Sequence, residues 1–212
     1  MLYDKDIREP LFEFLEETYG KVRVIEEKQM GRSRADVVMV RPESVSGIEI
    51  KSDADTYVRL SRQVKDYDLY FDQNYVVAGS VHGHHIQEHV PPWWGIITAE
   101  FVHGTVDFYI MREARENPNR SWMRKLSLLW RPELAHIQEL NQMHAYKEKS
   151  KLFVIGKILE RVPEEILCRQ VSEELFQRDY TAIEKTISAY KKENRIKKNN
   201  QTGMGQKRRR KR

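Results

Sequence analysis

The chain has 212 residues, of which 40% are hydrophobic and 33% charged, the profile of a globular protein with room for one cored domain and a small addition. It excludes a membrane span, since no run approaches the roughly 18 apolar residues one needs. It also excludes an intrachain disulfide, since Cys168 is the only cysteine, and the start lacks the basic-then-apolar pattern of a secretory signal, so the expected location is the cytoplasm, associated with the nucleoid. The net charge of +5 is unevenly spread: residues 191–212 hold eleven Lys/Arg and one Glu, leaving 26 Lys/Arg against 31 Asp/Glu elsewhere. The pattern is a mildly acidic domain with a basic arm.

In chain order, residues 6–19 read as a helix, with Asp6 able to cap it, Pro10 in its first turn and Gly20 ending it. VRVIEE and the β-branched ADVVMV read as strands, RPESVS as a turn or hairpin loop, and GIEIK as a strand of strict alternation. Asp53 or Asp55 caps a second helix running to about Phe71, with Leu60, Val64, Tyr67 and Phe71 as its buried stripe. NYVVAG is an apolar strand, HGHHIQEHV a short helix or loop, WGIITAEF a further strand and VDFYIMR its hairpin partner. The order α-β-β-β-α-β-α-β-β predicts an α/β protein, a central mixed β-sheet flanked by helices.

After about Asn117 the strand patterns stop. SWMRKLSLLW, PELAHIQELNQMHAY, KLFVIGKILERV, PEEILCRQVSEELFQ and TAIEKTISAYKKE are helical, with Pro132 and Pro163 as first-turn prolines. The predicted division is a core over 1–116, an all-helical appendage over 117–193 and a disordered basic tail over 194–212.

The segment with chemical content is RADVVMV-RPESVS-GIEIK. Glu49 and Lys51 lie two apart on a strand and share a face, while Ile48 and Ile50 point into a core. Asp36, at the start of the preceding strand, joins them only if it pairs opposite Glu49 or Lys51; a slip of one residue sets it opposite Ile50 and dissolves the cluster. Two carboxylates and a lysine suit phosphodiester hydrolysis. Their hard oxygens suit Mg²⁺ or Mn²⁺, which polarises a phosphoryl oxygen and acidifies a bound water. Lys51 would orient or deprotonate that water or neutralise developing charge, and the backbone carbonyl of Ile50 is a further candidate ligand. A lone E-x-K is most often a half-exposed strand with its charges in water.

An acid on one strand, E-x-K on the next and a helix after it resemble the PD-(D/E)xK nucleases, with Ala35 where the first motif usually carries proline. Gln63 and Tyr67, four apart and so on one helix face, resemble the Q-x-x-x-Y motif of the RecB-like branch. Residues 4–100 further resemble a set of bacterial and phage proteins of that superfamily, through D-I-R near the start, R-A-D, G-I-E-I-K-S-D, R-L-x-R-Q and P-x-W-W-G. The resemblance implies a restriction-endonuclease-like fold and a hydrolytic core of Asp36, Glu49 and Lys51. It implies that Gln63 and Tyr67 line the site and position substrate or the lysine. Many members place an acid on the first helix to complete the metal site; Asp6 is the candidate here, with Glu9 and Glu13 behind it, and a plain helix cap is its alternative.

Among other features, His82, His84, His85 and His89 invite a zinc reading, but no convincing third ligand accompanies the i,i+4 pair His85 and His89. The PPWW run reads as a rigid corner anchored by Trp93 and Trp94 rather than a base-stacking platform. Arg32, Arg34, Arg59 and Arg62 cluster in sequence around the site, and Arg34 and Arg62 are candidate phosphate contacts. The tail residues Lys207, Arg208, Arg209, Arg210, Lys211 and Arg212 read as a nucleic-acid-binding arm, against a nuclear import signal or an RNA-binding arm. The resulting expectation is a Mg²⁺-dependent nuclease acting on nucleic acid, DNA first, with a homodimer as an assembly the helical segment could support. The alternative is a nucleic-acid-binding or partner-binding module that keeps the nuclease fold without turnover.

Overall fold

Apolar residues four apart give the first helix one buried edge. In a computed structural model describing residues 1–83 and 85–179, α1 spans Asp4–Tyr19 and buries Ile7, Leu11 and Leu15. It starts two residues earlier than its expected cap. Asp6 is therefore the third helical residue, and its carboxylate accepts the Tyr3 N–H at 3.0 Å. Pro10 falls inside the helix rather than in its first turn, so the Asp6 carbonyl lacks its usual i+4 donor.

Six strands follow: β1 (Arg23–Met30), β2 (Ser33–Arg41), β3 (Ser44–Lys51), β4 (Gln73–Gly79), β5 (Gly95–Val102) and β6 (Thr105–Arg112). They lie side by side in sequence order. β1, β2 and β3 are antiparallel, β3, β4 and β5 parallel, and β6 antiparallel to β5. The expected element order and mixed sheet are both present. The loop expected over RPESVS is shorter: β2 continues through Arg41 and β3 restarts at Ser44. Only Pro42 and Glu43 remain to turn, with Glu43 in the left-handed region at φ 66°.

Helix α2 (Leu60–Tyr70), entered through a 3₁₀ turn at Tyr57–Arg59, crosses from β3 to β4. Neither aspartate expected to cap it does so: Asp55 accepts from the Ser52 N–H and hydroxyl, and Asp53 accepts the backbone N–H groups of Leu2 and Val81. Of its stripe, Leu60, Tyr67 and Phe71 are buried and Val64 partly so. The short helix α3 (Ser80–Gly83) and a 3₁₀ turn at Ile86–Glu88 lead to β5.

The sheet separates two apolar layers. Ile7, Leu11 and Leu15 of α1 pack with Val37, Met39, Ile48, Ile50, Val77 and Ile97 on one face. On the other, Val38, Val40, Val76, Tyr67 and Phe71 share a cluster with residues of the four later helices, α4 (Trp122–Ser127), α5 (Arg131–Leu140), α6 (Lys151–Arg161) and α7 (Glu164–Gln177). Packing does not break at the boundary expected near residue 116; one compact unit runs from Met1 to Phe176. Asp72, at the end of α2, adds a polar tie: it accepts from Arg120 at 2.7 Å, from the buried Lys125 at 2.7 and 2.8 Å, and from the Val45 N–H at 2.7 Å. The expected helix TAIEKTISAYKKE and the basic tail lie outside the described residues. Among the described residues no helix is long and apolar enough to cross a membrane.

Candidate active site

The β2–β3 ladder ends at Val37↔Ile48. One step further in that register, Asp36 stands across from Glu49, the alignment that keeps the charges together. Here the strands part, and side chains take over the backbone groups the ladder leaves. The Asp36 carboxylate accepts the Ile50 N–H at 2.9 Å, and the Tyr67 hydroxyl accepts the Asp36 N–H at 3.2 Å. The Ile50 carbonyl lies on the same side of the strand as its N–H, toward Asp36.

Glu49 is nearly inaccessible at 1% and Lys51 at 4%. The Lys51 Nζ lies 2.8 Å from Glu49 Oε1 and 3.2 Å from Gln63 Oε1, while Gln63 Nε2 donates back to Glu49 Oε1. The Tyr67 hydroxyl is 2.9 Å from Glu49 Oε2 and 3.1 Å from the Ile48 carbonyl. It has one proton, and the carboxylate is the stronger acceptor. Burial, then the neighbouring Glu49 charge, pushes the Tyr67 phenol well above its ordinary range, so it remains a donor. Glu49 is thus held at both oxygens by α2, which lies so close to β3 that a side chain at Gly47 would meet Phe71 at 2.3 Å and Tyr67 at 2.6 Å.

Burial and the charge of Glu49 raise the Asp36 carboxyl to about 7, against the Ile50 N–H and Arg8, which act to lower it. Two carboxylates crowded in this way suit a divalent cation, which would offset the repulsion that protonation otherwise relieves. Among the described residues no three His, Cys, Asp or Glu side chains gather as a metal cluster. The groups that could hold Mg²⁺ or Mn²⁺ would be Asp36, Glu49 and the Ile50 carbonyl, with water completing the shell of an ion that usually retains several.

These residues floor a cavity of about 420 Å³. Its rim carries Arg32, Arg34, Arg59 and Arg62, all exposed, and Arg32, Arg59 and Arg62 have no acidic partner among the described residues. Asp4, Arg8 and Glu27 also line it. Asp6 does not: it faces a separate, larger groove between α1 and β6. The helix face toward Asp36 belongs to Asp4 and Arg8, an i,i+4 pair joined at 2.6 Å. Arg8 also reaches the Asp36 carbonyl at 3.3 Å and Glu27 at 2.9 Å. Arg8 stands in the D-I-R run, and its spacing from Asp4 was the available signal. Glu27 had none, since its place depends on the pairing of β1 with β2.

Of the four histidines, His82, His85 and His89 make local contacts, and His84 lies outside the described residues. His89 stacks on Tyr57 at 3.9 Å between ring centroids, His82 meets the same ring edge-on at 4.8 Å, and His85 pairs with Glu88 at 3.4 Å. Trp93 and Trp94 are a structural corner: both indole N–H groups donate to Asp68 Oδ1, at 3.2 and 2.8 Å, and Trp94 is fully buried. The six basic residues of the tail lie outside the described residues.

No curated protein matches the chain. A solved structure, SfsA of Pyrococcus furiosus in complex with Ca²⁺, aligns at 15% identity with a TM-score of 0.30, over 50% of this chain and 59% of that one, a likeness too slight to bear on fold or site. The family model described as Bacteriophage P4 protein cII matches residues 1–202, almost the full length, and the chain belongs to that family.

Proposed function

We propose that this protein is a metal-dependent nuclease of the PD-(D/E)xK type, hydrolysing phosphodiester bonds, in DNA first. The observation that carries the reading is the convergence of Asp36, Glu49 and Lys51 on one cavity floor, with Gln63 and Tyr67 bonded to the same carboxylate. A Mg²⁺ or Mn²⁺ ion bound by Asp36, Glu49 and the Ile50 carbonyl would polarise the phosphoryl group and acidify a water. Gln63 and Tyr67 fix the Glu49 carboxylate, so its orientation needs no rearrangement when substrate enters. Lys51 stands beside Glu49 as a cation able to neutralise charge growing on the phosphoryl oxygens. Water adds to phosphorus, the bond to the leaving sugar oxygen breaks, and the water's proton is released as the leaving oxygen gains one. Arg34 and Arg62 on the rim would contact flanking phosphates. The tail residues 207–212 would add sequence-independent, salt-sensitive affinity.

The test is cleavage of labelled DNAs and RNAs with Mg²⁺, with Mn²⁺ and with EDTA, wild type beside Lys51→Ala and Asp36→Ala. Metal-dependent cutting that falls by roughly 10²-fold or more in both variants is expected. Binding without cutting under every condition, unchanged in both variants, would overturn the reading in favour of a non-catalytic nucleic-acid-binding module.

A further inference from the structure

Glu27 is placed where a strand would not put it. The β1–β2 ladder runs Glu26↔Val37, then Lys28↔Ala35, and omits Glu27, which would face Asp36. Glu27 is in the left-handed region at φ 54°, a conformation a side-chain-bearing residue holds only under constraint. The constraint is visible in its carboxylate. One oxygen lies 2.9 Å from Arg8 Nη2, and the other pairs with Arg34 Nε. Glu27 is Arg34's only acidic partner among the described residues. All three residues line the cavity that holds Asp36, Glu49 and Lys51.

A carboxylate with one oxygen on each of two guanidinium groups is arranged as the two non-bridging oxygens of a phosphodiester would be, since Arg presents the same planar fork to either anion. We infer that Arg8 and Arg34 form a phosphate subsite and that Glu27 is its built-in competitor, occupying the subsite until a substrate phosphate displaces it. The inference rests on the nuclease reading for the identity of the substrate, a nucleic-acid backbone. Arg8 remains anchored to Asp4 and to the Asp36 carbonyl when Glu27 leaves, so the subsite stays in register with the cavity floor. Arg34, mostly exposed and released from its partner, turns to the incoming phosphate. The competitor disfavours weak, isolated phosphates and requires a ligand with further contacts on the rim.

The experiment measures binding of a fluorescent single-stranded DNA and the matching duplex by anisotropy over a range of salt, in EDTA, so that no cleavage is needed. Glu27→Gln and Glu27→Gly are compared with wild type, with Glu17→Gln as a control that removes an exposed charge of α1 away from the cavity, because Glu26 itself lies 3.5 Å from Arg8. Both Glu27 variants are expected to bind roughly tenfold more tightly, with a salt dependence steeper by about one released ion. The gain should be absent when Arg34→Ala is added. Equal or weaker binding by the Glu27 variants, an equal gain in Glu17→Gln, or a gain that survives Arg34→Ala would each overturn the subsite, as would no binding of either DNA by any variant. Failure of the nuclease reading is distinguishable: cutting would then be absent with every metal while the Glu27 effect on binding persists.

Discussion

Asp36 carries its carboxyl at about 7 because it is buried beside Glu49, not because its hydrogen bonds favour the acid; the Ile50 N–H and Arg8 pull the other way. A folded-state value above the ordinary 3.8 means that Asp36 favours the metal-free fold fully below about pH 4, and that this contribution is lost as pH rises through about 7. The metal-free protein should therefore lose on the order of 3 kcal/mol of stability between pH 4.5 and 8 through this group. Thermal denaturation in EDTA reads it, and Asp36→Asn should flatten the profile; an unchanged slope in that variant would remove Asp36 as the cause. Tyr67 invites a second measurement. Its hydroxyl serves Glu49 and the Asp36 N–H together, so Tyr67→Phe leaves a buried carboxylate oxygen without its donor and a backbone N–H without its acceptor. A loss of about 1–3 kcal/mol in denaturant unfolding is expected, with cleavage reduced as Glu49 loses its fixed orientation. A variant as stable as wild type would mean that the hydroxyl contributes nothing net.

At the scale of elements, the site depends on how closely α2 lies on β3. Gly47 sets that distance, because any Cβ there would overlap the rings of Tyr67 and Phe71. Gly47→Ala should lift α2, costing about 1–3 kcal/mol as overpacking, and should carry Gln63 and Tyr67 away from Glu49. The readouts are denaturant unfolding and the cleavage assay; normal activity would show that the helix can shift along the sheet without moving its site residues. α1 acts differently. Its buried edge is Ile7, Leu11 and Leu15, and Asp4 and Arg8, not Asp6, line the cavity that holds Asp36. Asp4 and Asp6 lie two residues apart and so more than half a turn apart around the helix, which leaves only one of them able to face Asp36.

In the whole molecule, the helices after residue 117 complete the core under the sheet. Leu126, Leu134, Ile137, Val154, Ile158, Leu167 and Val171 share a cluster with Val38, Tyr67 and Trp94, and Lys125 is buried against Asp72. A chain ending at residue 116 would expose that face and take from Asp72 its two cationic partners, Arg120 and Lys125. It is expected to be insoluble or molten, observable as lost near-ultraviolet dichroism and dye binding; a cooperatively folding fragment would restore the idea of a separable appendage. Removing residues after about 193 is a different operation, since it takes away charge and little apolar surface. It should weaken DNA binding and flatten its salt dependence while leaving Asp36, Glu49 and Lys51 in place, and unchanged binding would end the case for the arm.

The sequence by itself determined the element order, the strand alternation that sets Glu49 and Lys51 on one face, the i,i+4 spacing of Gln63 and Tyr67, and the charge divide between domain and tail. These are local properties, fixed by the periods of helix and strand and by composition. Only the tertiary structure decided the rest. The β2–β3 register that sets Asp36 across from Glu49 is a relation between segments, as is the arrival of Asp4, Arg8 and Glu27 at the same cavity. The helical segment read as an appendage because its pattern is helical throughout. It packs instead into one of the two apolar layers of the core, because an amphipathic helix specifies that its apolar face must be buried, not what buries it.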